Sequence, residues 1–239
     1  MASLALIVIG CIAQVVHRQA MITRLLKTDA DAVHRDDSLF RFANRQATPL
    51  YGEFCQGCHG ADMAGDRSRG VPNLNDDDWL YGSGRVSEIE RIVLYGIRSG
   101  SGKGWNLAVM PAYASAISDR RLAVASLSPG DIRDTVEYLR TLEHKPADVD
   151  AAARGHEIFS GRGACYDCHA PDGRGDTAIG APNLTDDIWL YGDGSRASVF
   201  DSIALGHSGS CPARARQLTA WQARALAVYV AGASLPKHP

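Results

Sequence analysis

The sequence of 239 residues predicts an all-α protein, built as two tandem domains that follow an N-terminal hydrophobic segment. Two observations predict this architecture. Apolar residues recur at helical spacing in several segments between glycine-rich loops, and no alternating strand pattern of note is present. A set of motifs also recurs at a fixed offset, which indicates an internal repeat. The chain is long enough for two small domains.

The repeat consists of three motifs in one register, 110 residues apart. The string C-x-x-C-H runs from Cys55 to His59 and again from Cys165 to His169. Pro-Asn-Leu recurs at 72–74 and 182–184, and Trp-Leu-Tyr-Gly at 79–82 and 189–192. Chance does not produce three motifs in register. We therefore divide the chain into a hydrophobic segment 1–18, a linker 19–46, a first domain 47–145 and a second domain 146–239.

Capping residues mark the predicted helices. Ser87 followed by Glu90 predicts a capped helix that runs to Gly96. Ser128 and Pro129 predict the start of another, which runs to Leu142. The remaining predicted helices cover Thr48–Phe54, Ala153–Phe159, Ala197–Leu205 and Ala220–Ala231.

The first residues form an apolar run from Met1 to Val16, followed by His17 and Arg18. Sixteen residues are fewer than the ~20 that span a bilayer as a helix. Three interpretations stay open: a membrane anchor, a cleaved signal peptide, and a lipidation site at Cys11. Each of them predicts that the rest of the chain is exported.

The C-x-x-C-H string is the attachment sequence for haem c. Cys55 and Cys58 would form thioethers with the porphyrin vinyl groups, and His59 would bind the iron. Cys165, Cys168 and His169 repeat this set. A disulfide framework, a redox dithiol and a zinc site are the alternatives, but none of them calls for a histidine directly after each pair. The sequence thus predicts two covalently bound haem c groups.

The second axial ligand of the first haem is predicted to be Met110, in Val109-Met110-Pro111-Ala112, because it follows the Ser87 helix, where a small cytochrome c presents its distal sulfur. A thioether in that position favours ferrous iron and raises the potential. Met63, the rival, follows His59 too closely to reach across the haem plane. Met110 as a core residue is the simpler alternative.

The second repeat has no methionine, and Cys211 occupies the equivalent place in Ser210-Cys211-Pro212-Ala213. A Cys211 thiolate, a His207 imidazole and an open position all remain candidates for the second iron. This repeat also lacks the glycine-rich stretch 101–104 of the first.

Pro72 and Pro182 precede the Asn-Leu pairs. We expect the carbonyl of each proline to accept the proton of the neighbouring imidazole and so to fix its orientation. The repeated aromatic residues either lie at the haem edge or fill the core; they are Trp79, Tyr81, Trp189 and Tyr191.

The formal charge of −2, from 25 basic and 27 acidic residues, provides no basic surface for nucleic acid. These motifs, with the Met-Pro-Ala of the first repeat, resemble the dihaem subunit III of cbb-type haem–copper cytochrome oxidases over residues 47 to 235. The resemblance implies two class I cytochrome c domains, tethered to the cytoplasmic membrane and facing the periplasm. Where that family has a second methionine, this chain has Cys211.

The resemblance also implies electron transfer between a donor cytochrome or dehydrogenase and a terminal oxidase or other respiratory partner. The alternative is a haem enzyme in which a Cys211-ligated second haem acts on a small sulfur compound such as thiosulfate. The shortened second repeat and the lack of a general base beside Cys211 favour the electron carrier.

Overall fold

The computed structural model describes residues 2–115 and 124–234, with side chains from Leu6 onward. Within these ranges the backbone is helical, and extended pairing is confined to isolated bridges, which confirms the all-α prediction. The helices are α1 (Ala2–Lys27), α2 (Asp37–Phe54), α3 (Gln56–His59), α4 (Val86–Tyr95), α5 (Pro129–Leu142), α6 (Val149–Ser160), α7 (Tyr166–His169), α8 (Arg196–Leu205) and α9 (Ala220–Ala233).

Helix α1 extends well beyond the apolar run that the sequence shows. Its segment Leu6–Lys27, with a mean hydropathy of 1.5, is long and apolar enough to cross a membrane. The large apolar side chains between Leu6 and Val16 are mostly exposed, whereas Ile22 and Leu25 are buried in a core that they share with α2 and α9. The segment 19–46, expected to be a linker, therefore contains the end of α1, a 3-10 turn and the start of α2.

Helix α2 begins eleven residues before the predicted Thr48. The Asp36 carboxylate accepts hydrogen bonds from the backbone N–H groups of Ser38 and Leu39, which is an N-cap. Pro49, a residue that favours the first turn of a helix, lies in the interior of α2.

Helix α4 corrects the predicted cap at Ser87. The N-cap is Arg85, and the carboxylate of Glu88 accepts from the backbone N–H groups of Ser83 and Arg85. Ser87 instead bonds Asp31 through both its backbone N–H and its hydroxyl. The predicted partner Glu90 pairs elsewhere, with Arg224 of α9.

Helix α5 matches its prediction at both ends. Ser128 accepts from the backbone N–H of Asp131, whose carboxylate in turn accepts from the N–H of Ser128. The three predicted helices of the second repeat are confirmed as α6, α8 and α9, each somewhat longer than predicted.

The described residues form two hydrophobic cores, and each core contains the final helix of the other repeat. Helix α9, at the end of the second repeat, packs on α2 and α4 of the first. Helix α5, at the end of the first repeat, packs on α6 and α8 of the second. The repeat boundary at 145/146 therefore divides the sequence but not the cores.

The short connection 143–148 explains this exchange. Six residues between α5 and α6 make the two helices adjacent in space, as in an αα-hairpin. A Cβ at Gly155 would lie 2.0 Å from the carbonyl oxygen of Asp134, so the backbones cross in direct contact. Helix α5 thus occupies the second core, and α9 fills the corresponding place in the first.

Candidate haem-binding sites

The two C-x-x-C-H motifs have the same local structure. In the first, the backbone N–H groups of Cys58 and His59 both donate to the carbonyl of Cys55, at 3.1 and 3.0 Å. In the second, Cys168 and His169 donate to Cys165, at 3.2 and 2.9 Å. A single helical turn thus gathers two sulfurs and one imidazole, as attachment to one porphyrin requires.

The predicted hydrogen bonds to the proline carbonyls are confirmed. His59 Nδ1 lies 3.1 Å from the carbonyl oxygen of Pro72, and His169 Nδ1 lies 3.0 Å from that of Pro182. A carbonyl only accepts, so Nδ1 carries the proton and Nε2 keeps a free lone pair for a metal. Burial also lowers the pKa of both imidazoles, which favours the neutral form that binds iron.

A glycine beside each proline makes this bond possible. Gly65 has φ +72°, and a Cβ there would lie 2.5 Å from the Pro72 carbonyl oxygen. Gly175, at φ +76°, stands in the same relation to Pro182, again at 2.5 Å. The same cradle is therefore built twice from residues 110 positions apart.

The described residues do not support the other uses of the cysteine pairs. All six cysteines are free, so no disulfide framework is present. In the part of the chain that the structure describes, no three His, Cys, Asp or Glu side chains are grouped to hold a metal such as zinc. Burial raises the pKa of Cys55 and of Cys165 to about 11, whereas a reactive dithiol needs a lowered pKa.

Met110 lies beside the second motif, not the first. Its backbone exchanges two hydrogen bonds of 3.0 Å with His207, and its side chain packs on the core that contains Cys165. Tyr113, three residues on, donates from its backbone N–H to Ile203 of α8 and from its hydroxyl to the carbonyl of Gly163, at 2.6 Å.

Cys211 lies beside the first motif. Its backbone exchanges two hydrogen bonds of 2.9 Å with Ile97, which follows α4. The following segment runs along α4, and Arg214 reaches the carbonyl of Phe54, the residue before Cys55. Burial raises the pKa of Cys211, and the neighbouring Cys58 adds to that rise.

The pairing expected from the sequence is thus reversed: Met110 faces the motif at 165–169, and Cys211 faces the motif at 55–59. Each distal residue was predicted to lie opposite the motif of its own repeat. Helix α5 lies in the second core and α9 in the first. The distal segment that precedes each helix, with Met110 before α5 and Cys211 before α9, therefore also lies against the other repeat's core.

The remaining candidates take different places. The His207 ring stacks on Tyr191 with centroids 3.5 Å apart, and its Nε2 is buried without a partner among the described residues. Met63 is buried in the first core. Trp79 and Trp189 pack against the two cores.

Two residues that bind the segments around Met110 and Cys211 were not among the predicted site residues. Tyr113 follows Met-Pro-Ala directly, and its hydroxyl bonds the backbone two residues before Cys165. Arg98 begins the stretch that the second repeat lacks, and it contacts both repeats. The length difference between the repeats was the available signal for Arg98.

Comparison with known proteins agrees with this geometry. Residues 47–143 match the cytochrome c family. The chain is 36% identical to the cbb3-type cytochrome c oxidase subunit FixP of Azorhizobium caulinodans over 214 residues, which cover 89% of this chain and 67% of that protein. The subunit CcoP of Cereibacter sphaeroides is 35% identical, over 87% of this chain and 67% of its own. For CcoP of Rhodobacter capsulatus the identity is 33%, over 89% and 69%.

The chain spans about two thirds of the length of these relatives. All three are named as oxidase subunits, and their names give no support to action on a sulfur compound. The matched family and the two built motifs agree on haem c, covalently bound, as the cofactor. The chain therefore belongs to the family of cbb3-type cytochrome c oxidase subunits known as FixP and CcoP.

Proposed function

We propose that this chain is the dihaem electron-transfer subunit of a membrane-bound terminal oxidase. The observation that carries the proposal is the twofold occurrence of one proximal site, with His59 bonded to Pro72 and His169 to Pro182. Haem c supplies a one-electron carrier whose potential depends on its axial ligands.

The proposed proximal residues are Cys55, Cys58 and His59 for the first haem, and Cys165, Cys168 and His169 for the second. We assign the distal ligands across the repeats. The backbone pairing of Cys211 with Ile97 supports Cys211 for the first haem, and the packing of Met110 against the core of Cys165 supports Met110 for the second.

These distal ligands make the two sites unequal. A thiolate donates charge to iron and stabilises the ferric state, whereas a thioether favours the ferrous state. The chain would therefore contain one haem of low and one haem of high reduction potential. We assign the low potential to the site of Cys211 and the high potential to that of Met110.

Helix α1 is the proposed membrane anchor. Its segment from Leu6 to Val16 exposes a continuous apolar surface, larger than soluble proteins tolerate without a partner. The end of α1 is buried with α2 and α9, so the anchor continues directly into the first core. Covalent haem attachment outside the cytoplasmic membrane supports a periplasmic location for both haem sites.

The proposed partners are an electron donor and the catalytic part of the oxidase. The relatives named above are subunits of such oxidases, which supports this assignment. In this role the chain carries electrons from the donor to the oxidase through its two haem groups.

A haem count tests the proposal. The matured wild-type chain should contain two haems in a pyridine haemochrome assay, and so should the control Cys11→Ala, whose thiol is exposed on α1. Cys55→Ala/Cys58→Ala and Cys165→Ala/Cys168→Ala should each contain one. When membranes are solubilised gently, the wild-type chain should co-purify with oxygen-reducing activity that oxidises it. One haem in the wild type, or no oxidation by the purified complex, would refute the proposal.

A further inference from the structure

The first repeat contains an insertion whose role the haem sites do not explain. Twelve residues separate Ile97 from Met110, whereas three separate His207 from Cys211. The insertion begins at Arg98, a half-buried residue with φ +46°. Such a backbone conformation is uncommon outside glycine and persists where the surroundings fix it.

The Arg98 guanidinium binds acceptors from both repeats. Nη1 donates to the carbonyl of Ala108 at 2.9 Å and to the hydroxyl of Tyr81 at 2.8 Å. Nε donates to the carbonyl of Gly209 in the second repeat. The planar fork of arginine suits such multiple contacts, which a single ammonium group cannot reproduce in the same geometry.

The two carbonyl acceptors occupy equivalent positions. Ala108 is two residues before Met110, and Gly209 is two residues before Cys211. Arg98 also follows Ile97, whose backbone pairs with Cys211. One side chain therefore contacts the backbone of both distal segments, immediately before each candidate ligand.

Neutral oxygens alone accept from this cation. In the ranges 2–115 and 124–234, no carboxylate lies within 4.0 Å of the Arg98 guanidinium. A half-buried charge bound only to carbonyls and a hydroxyl forms strong charge-assisted bonds, which restrict the backbone that carries the acceptors.

We propose that Arg98 is a positioning residue that holds both distal segments at once and so couples the geometry of the two haem sites. Its effect on the irons rests on the function proposed above, whereas its effect on the backbone does not. The second repeat has no counterpart, so a single clamp serves both sites.

Amide hydrogen exchange of the haem-loaded protein tests the clamp directly. The backbone N–H groups of Met110 and Cys211 are the reporters, because each is bonded across the interface between the repeats. In Arg98→Met, we expect exchange at both to become roughly tenfold faster, the effect of losing one charge-assisted hydrogen bond per segment. Arg91→Met is the matched control, because, among the residues that the structure describes, its guanidinium binds the carbonyl of Lys103 and stacks on Trp105 without contacting either distal segment.

Faster exchange in only one segment, in neither, or equally in the Arg91 control would overturn the proposal. If Arg98→Met fails to mature, Arg98→Lys carries the test: its shorter, compact head group should give a smaller acceleration at both reporters, and wild-type exchange at either would overturn the clamp. The redox potentials separate the two proposals. Faster exchange at both segments, with both haem potentials unchanged, would retain the clamp on the backbone and reject its coupling to the irons, whereas the haem count given above tests the proposed function separately.

Discussion

The two haem sites are alike on the proximal side and different on the distal side. Both proximal histidines bond a proline carbonyl, at 3.1 and 3.0 Å, beside a glycine with positive φ. On the distal side a thioether, Met110, stands at one site and a thiol, Cys211, at the other. The comparison teaches that the proximal arrangement is the same in both repeats, whereas the residue proposed as the distal ligand differs.

The distal segments also differ in what fastens them to the opposite core. Tyr113 bonds the Gly163 carbonyl beside the second motif, and Arg214 occupies the corresponding position beside the first. The same exchange of segments is thus maintained by a neutral hydroxyl in one core and by a cation in the other.

The largest expected effect comes from giving both sites the same distal ligand. In Cys211→Met, we expect the potential of the haem at Cys55 and Cys58 to rise by on the order of 0.2 V, a fraction of the ~0.8 V range that axial ligands set. The haem at Cys165 and Cys168 should keep its potential. A redox titration followed by optical spectra measures both.

The control is Cys11→Met, which changes an exposed thiol far from either motif and should leave both potentials unchanged. If the potential rises only for the haem at Cys165 and Cys168, Cys211 is the distal ligand of the haem in its own repeat and the crossed assignment is wrong. If neither potential moves, Cys211 is not a ligand.

The next effect concerns the exchange of helices. Arg224 of α9 and Glu90 of α4 form an ion pair across the repeats, with side chains only 15% and 14% exposed. Arg224→Met leaves a buried carboxylate uncompensated and should lower the free energy of unfolding by about 3–5 kcal/mol. Chemical denaturation of the haem-loaded protein measures this change.

Arg154→Met is the matched control, because Arg154 pairs with Asp134 within the second core and is 59% exposed. Its loss should lower the same free energy by no more than about 1 kcal/mol. Equal losses in the two variants would argue against a structural role for the contact between α9 and α4.

A smaller effect is expected for Tyr113→Phe. The substitution removes the 2.6 Å hydrogen bond to Gly163 and leaves a buried carbonyl unsatisfied, at a cost of about 1–2 kcal/mol. The spectrum of the second haem should change while that of the first does not. Tyr138→Phe is the control in the same core, since the described residues offer its hydroxyl no partner; a change in the first haem instead would contradict the crossed arrangement.

The smallest expected effect concerns Arg18 of helix α1. Arg18 lies 5.1 Å from the ring of Trp221 in α9 and also bonds Gln46. Arg18→Gln should lower the free energy of unfolding by about 0.5–1 kcal/mol, the range of an exposed cation–π contact. Arg41→Gln should change it less, because the exposed Arg41 side chain pairs with Asp37 one turn earlier on the same helix. A larger loss for Arg41→Gln would show that the contact between Arg18 and Trp221 does not stabilise the fold.

Local chemistry was predictable from the sequence. The cap at Ser128 and the two proline carbonyls depend on residues close along the chain, and the structure confirms them. The start of α4 was misplaced because Ser87 and Glu90 have the spacing of a capping box, whereas the actual N-cap is Arg85, which is not a favoured capping residue, and Ser87 bonds Asp31 instead.

The exchange between repeats was not predictable from these patterns. Met-Pro-Ala and Cys-Pro-Ala have the same local sequence context, and either fits opposite either motif. The choice depends on which core each final helix enters, and thus on the short connection 143–148 between α5 and α6. That is a property of chain connectivity in three dimensions rather than of any motif.

The most direct test of the crossed arrangement is optical. Methionine bound to ferric haem gives a weak sulfur-to-iron charge-transfer band in the far red, which can be recorded on variants that keep one haem. We predict that the band persists in Cys55→Ala/Cys58→Ala and is lost in Cys165→Ala/Cys168→Ala. The opposite result, with the band lost in the first variant and kept in the second, would contradict the assignment of Met110 to the second haem.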